Sequence, residues 1–107
     1  MIVTTGTAIE GCEIADYLGV VRGIVVRVPT RRQRIRGATE ALVEGGNNPY
    51  FLEVAEAARA DAYADLVKHA ESLAADAVIG ARYQTTRFAA EGVSEVLAYG
   101  TAVRLVR

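Results

Sequence analysis

The chain is predicted to be a two-layer α/β (α+β) domain, with a three-stranded, mainly antiparallel sheet covered by two helices. Three features point there. A long β-branched run precedes two helical stretches, the second of these passes straight into a strand through Ala75 and Asp76, and that strand turns back as a hairpin. The expected order is strand, helix, helix, strand, strand, in one domain over residues 1–107.

Ile2-Val3-Thr4-Thr5 is a short β-like start, followed by a turn between Gly6 and Gly11. Residues 13–28 read as a long strand whose glycines, Gly19 and Gly23, mark bulges or close backbone approach. From Leu18 onward both alternating faces are apolar, with Val21 and Val25 on one and Leu18, Val20, Ile24 and Val26 on the other. Such a strand is buried on both sides. A short helix follows over about 30–43, and Gly45-Gly46-Asn47-Asn48 ends it.

The long helix spans residues 48–73. Asn48 can cap it, Pro49 suits its first position, and Glu53 faces the positive end of the dipole. Leu52, Ala55, Ala62, Leu66, Ala70 and Leu73 form its apolar stripe. Arg59 falls inside that stripe, where a guanidinium must be paired or reach past the stripe to an edge; it is expected to bond a carboxylate, with Glu13, Asp16 and Glu95 as candidates, or strand carbonyls, at a subunit boundary. Residues 77–88 and 93–107 then form the hairpin about a turn at 89–92. Two helices in one connection cover one sheet face. The second apolar face, with Val20, Ile24 and Val26, is expected to meet another copy of the chain, and Arg59 to join that interface.

At 107 residues with 51% hydrophobic side chains, the chain can bury a modest core. Its apolar runs are too short to span a bilayer and no signal peptide opens it, so a cytoplasmic protein without membrane partners is expected. Net charge is only −1, yet Arg27, Arg31, Arg32, Arg34 and Arg36 crowd one segment while residues 40–76 hold eight acids against Arg59 and Lys68. The arginines suit a solvated or interface-pairing segment, or a small anionic ligand; without interleaved aromatics, nucleic acid is disfavoured. The glycine-rich stretch before the long helix lacks a phosphate-loop lysine and reads as a connector.

Cys12 and His69 are the only cysteine and histidine. They are the weak candidates for a metal, since a closed zinc site needs four ligands and one chain does not supply them; a ring of subunits could repeat a ligand about its axis. Cys12 otherwise reads as a small turn residue, and His69 as a partly buried, hydrogen-bonded histidine near a helix C-terminus. No triad stands out, and one histidine leaves acid-base chemistry to carboxylates or tyrosines. A non-enzymatic protein without a cofactor is expected.

Glu10-Gly11-x-x-Ile14-x-x-Tyr17-x-Gly19-Val20-Val21-x-Gly23, Gly45, Tyr50, Ala58-Arg59, Leu66, Ala75-Asp76-Ala77-Val78-Ile79-Gly80 and Gly100-Thr101-Ala102-Val103 together resemble the YbjQ-like family. These are small bacterial and archaeal proteins of unestablished function that carry a heavy-metal-binding label. The resemblance implies a subunit similar to dodecin-type folds, assembled as a ring-shaped homopentamer that binds or scaffolds an unidentified ligand; the alternative it implies is a heavy-metal ion held by few ligands per chain. This chain departs from the family at Ile24, where an acid is usual, at Arg31 to Arg36, where aromatics are usual, and at Ala74, where glycine is usual.

Overall fold

A computed structural model of the chain describes residues 1–27, 49–87 and 93–107. Four strands form one mixed sheet, β1 (Ile2–Val3), β2 (Ile14–Arg27), β3 (Ala77–Arg87) and β4 (Ser94–Leu105), with one helix among the described residues, α1 (Pro49–Ser72). The strand order is β1-β3-β4-β2. The expected fold of three strands and two helices is therefore corrected: the β-like start, not counted in the expected sheet, is its fourth strand, β1, which pairs in parallel with Ala77 and Val78. Two residues are too few to show an alternating pattern, and their pairing depends on a strand at the other end of the sequence. The helix expected over about 30–43, the turn at 89–92 and the Asn48 cap lie outside the described residues.

Strand β2 holds its antiparallel pairing with β4 from Gly19↔Ala102 to Arg27↔Ser94. Its register shifts between Tyr17 and Gly19, and Gly19 takes φ 113°, the left-handed conformation that glycine adopts most easily. That bulge moves Leu18 to the helix side, where it packs with Val21 and Val25 rather than with Val20 as alternation predicts. Gly23 faces α1 at close range. A Cβ there would lie 2.0 Å from the Ala62 carbonyl oxygen and 2.6 Å from the Leu66 nitrogen, so the helix backbone rests on bare strand.

Helix α1 begins at Pro49, as expected, but Glu53 lies beyond its first turn. Its buried line is Ala58, Ala62, Leu66 and Ala70. Leu52 is 64% exposed and Ala55 is also exposed, so the stripe is narrower than the sequence pattern suggests, and Arg59 sits on its flank. Small side chains allow a close approach to the sheet, and only a thin row of the helix is then covered. The second sheet face is partly covered by the chain itself. Ile9 and Ile14 pack with Ala77, Ile79, Val103 and Leu105 at one end, leaving the other end open around Val20, Ile24 and Val26.

Ala74 ends the helix in the left-handed region, φ 59°. Its N-H donates to the Glu71 carbonyl at 3.0 Å and that of Ala75 donates to Ala70 at 3.1 Å, the paired bonds of a Schellman ending. The different ending suggested by alanine at this position is not adopted; the chain makes the glycine-type ending with an alanine. Ala74→Gly relieves that strain and should raise stability by about 1 kcal/mol, less glycine's own unfolded-state entropy, in denaturant titration.

Asp76 locks the two ends of the hairpin. Its carboxylate accepts the Leu105 N-H at 2.9 Å and pairs with Arg107, while its own N-H donates to Val103 at 2.9 Å. The Leu105 amide chiefly holds the carboxyl below its ordinary 3.8, opposed by desolvation and aided by Arg107. A depressed folded value means that the stabilisation is complete above the unfolded value of 3.8 and disappears as pH falls through the lower folded value. Melting temperature followed into acid should therefore fall less steeply in Asp76→Asn than in the parent.

Candidate functional site

Two flanks of α1 carry the side chains that sequence reasoning singled out. On the β2 flank, an open groove of 440 Å³ is lined by Arg22, Gly23, Ile24, Asp65, Lys68, His69 and Ser72. It exists because β2 is an edge strand and α1 crosses it at Gly23, bringing one side of the helix over the strand's outer backbone. On the β3 flank, Tyr63, Arg82 and Tyr83 help line a 210 Å³ recess closed below by Leu66 and Ala98.

His69 is partly buried and its Nδ1 accepts the backbone N-H of Arg22 at 3.1 Å. Sequence reading anticipated a hydrogen-bonded histidine near a helix end, but not its partner, 47 residues away. An Nδ1 that accepts carries no hydrogen, which leaves the ring hydrogen on Nε2. A metal-ligating histidine binds through one nitrogen and donates from the other, the reverse of what the Arg22 amide imposes here. Ser72 completes this corner by donating from its hydroxyl to the His69 carbonyl at 2.6 Å.

Cys12 is exposed in the turn where its N-H donates to Ile9 at 3.1 Å. Among the described residues, no three of His, Cys, Asp and Glu are grouped to hold a metal ion. The described residues taken alone do not form a heavy-metal centre within one chain. Arg31, Arg32, Arg34 and Arg36 lie outside the described residues, but Arg27 shows the basic segment's first contact: it pairs with Asp61 of α1 at 3.0 Å, both side chains being substantially exposed. Its Nε is buried without a hydrogen-bond partner among the described residues.

Arg59 lies over the Tyr83 ring, 5.8 Å from its centroid, a cation–π contact on the β3 flank. Of its three candidate acids, Asp16 faces Arg104 at 3.9 Å. Val20, Ile24 and Val26 are 71%, 43% and 54% exposed on the sheet face away from α1. Sequence reasoning missed Tyr83 as the partner of Arg59 and Asp65 as a groove residue; the repeat of helical spacing places Asp65 beside His69 and was the available signal.

His69→Asn keeps an acceptor near the Nδ1 position and His69→Ala removes it. Denaturant titration should show the alanine variant less stable by about 1 kcal/mol and the asparagine variant closer to the parent.

Residues 1–106 match the YbjQ_1 family, described as "Putative heavy-metal-binding". A UPF0145 protein of Legionella pneumophila subsp. pneumophila is 45% identical over 103 residues, 96% of each chain. A UPF0145 protein of Chromobacterium violaceum is 43% identical over 104 residues, 97% of this chain and 87% of the relative. A solved structure from Pediococcus pentosaceus, a protein of unknown function in the DUF74 family, superposes with a TM-score of 0.66 over 99% of this chain and 98% of that one at 20% identity, a likeness of fold. By its match along nearly the whole sequence and by relatives above 40% identity, the chain belongs to the YbjQ/UPF0145 family.

Proposed function

We propose that the chain is a non-enzymatic, homo-oligomeric binding or scaffold protein of the cytoplasm, built as a closed ring in which subunits cover one another's open sheet faces. The observation that carries this reading is the row Val20, Ile24 and Val26, exposed on a strand whose opposite face is core. Tyr17 continues the apolar surface at 69% exposure. An apolar patch of this kind on a β-sheet marks an interaction site. Full burial of an exposed side chain of this kind is worth about 1.5–3 kcal/mol, and each of these half-covered residues contributes part of that to association. Five subunits is the number supported by the family resemblance. No helix among the described residues is long and apolar enough to cross a membrane.

Heavy-metal binding is the second reading, supported by the family's description alone. The accepting Nδ1 of His69 and the exposed, solitary Cys12 argue against it. A small anionic ligand on the arginine segment is compatible with the scaffold reading and leaves the assembly unchanged.

Light scattering of purified, tag-free protein at micromolar concentration should give a single species of several chains. A stable monomer there overturns the oligomeric reading.

A further inference from the structure

Resting on the homo-oligomeric reading, we propose that subunits join head to tail through the backbone edges of the sheet: the outer edge of β2 in one copy pairs in parallel with the distal edge of β3, beyond Ala81, in the next. Both edges follow from the hydrogen-bond pattern. The Arg22 N-H donates to His69, so it points away from β4, and in an antiparallel ladder the residues two positions apart do the same. Val20, Ile24 and Val26 therefore turn their N-H and C=O groups outward. Their β4 partners, Thr101, Leu97 and Glu95, pair with β2 without hydrogen bonds, so Leu97 and Glu95 bond to Gln84 and Thr86 of β3. Tyr83, Thr85 and Arg87 must then point their backbone groups outward on the opposite edge. Strand β1 reaches only the start of that edge, where the Ala81 N-H donates to Thr4 at 2.9 Å.

The two edges are complementary. Strands β2 and β3 both run antiparallel to β4, so a neighbour placed alongside in the same orientation brings β3 up against β2 in parallel. In a parallel pair, a residue bonds to the two residues flanking the one opposite, so outward-bonding positions on the two strands must carry side chains on opposite faces. They do: Val20, Ile24 and Val26 face away from α1, whereas Tyr83 lies on the α1 side against Arg59. All helices then share one face of the continued sheet. Such a contact joins two unlike surfaces, and repeated with a constant rotation it closes a ring.

Charges meet in the same geometry. Gly23 and Tyr83 both pair with Ala98, which puts them at one level of the sheet. Asp65 stands over Gly23 and Arg59 over Tyr83, on opposite flanks. Unsheared pairing brings the Arg59 of one copy beside the Asp65 of the next. Arg22 and Arg82 share a level as well, but Arg82 is turned back onto the Thr5 carbonyl at 2.8 Å. A two-fold β2 to β2 contact instead faces the Asp61 and Asp65 flank with its own copy.

Thr85→Pro and Val26→Pro each remove an outward N-H and leave the ladder to β4 intact. Each alone should stay folded by circular dichroism and should raise the concentration for half-dissociation roughly tenfold or more. Mixed in equal amounts they retain one good edge each and should stop at a two-chain species. As a measurement independent of proline, Arg59→Glu and Asp65→Arg should each weaken assembly, and the double variant should restore it. If either proline variant keeps the parent's assembly, or the mixture gives no two-chain species, the edge pairing is overturned while the oligomer stands. A monomeric parent overturns the oligomeric reading itself.

Discussion

The contact on which the rest of the structure depends is the seating of α1 on Gly23. Because the strand is bare there, the helix backbone comes within reach of the sheet at Ala62 and Leu66, and the alanines on either side can form a thin, fully covered line. The same approach carries Asp65 and His69 out over the β2 edge, where His69 takes the Arg22 amide. A close seat also limits how much apolar surface one subunit can bury. Leu66, Val21, Val78 and Val103 are its largest fully covered side chains, a small set for a chain whose composition is half hydrophobic. Val20, Ile24 and Val26 stay exposed among the described residues.

Polar groups of the described residues are engaged within the fold. Asp76 is committed to the hairpin ends, His69 to the strand edge and Arg59 to Tyr83. These polar groups hold elements in place. The apolar row on β2 is, among the described residues, a property of a surface rather than of a pocket.

Much of this was legible in the sequence. The long strand, the helix starting at Pro49, the hairpin and both glycine roles in β2 follow from local pattern, because bulges and close approaches leave glycine as their trace. The amino-terminal residues read as β-like, but their place in the sheet was not legible, since two residues carry no period and pair with a strand far along the chain. Leu18 was assigned to the wrong face because a bulge changes alternation by one residue, and a pattern of hydrophobicity does not record where the change falls. Helical spacing puts Arg59 inside the apolar stripe, whereas the covered line is narrower and leaves it exposed on the flank; its contact with Tyr83 joins residues from different elements and depends on the helix angle. The surface row at Val20, Ile24 and Val26 was visible as soon as the strand read apolar on both faces.

The strand order also governs how the chain comes to be folded during synthesis. Both strands of the amino-terminal part pair with strands from later in the sequence: β1 with β3 and, among the described residues, β2 only with β4. The ladder of β2 is complete when Leu105 meets Ile14. Until then the growing chain holds a strand apolar on both faces and no partner for it, and its own late-made hairpin competes with any other strand nearby. Contacts this far apart in sequence fold slowly and expose edges to aggregation. For neighbouring chains translated from one message, that exposure also supplies the same surfaces from which an assembly of identical subunits can begin.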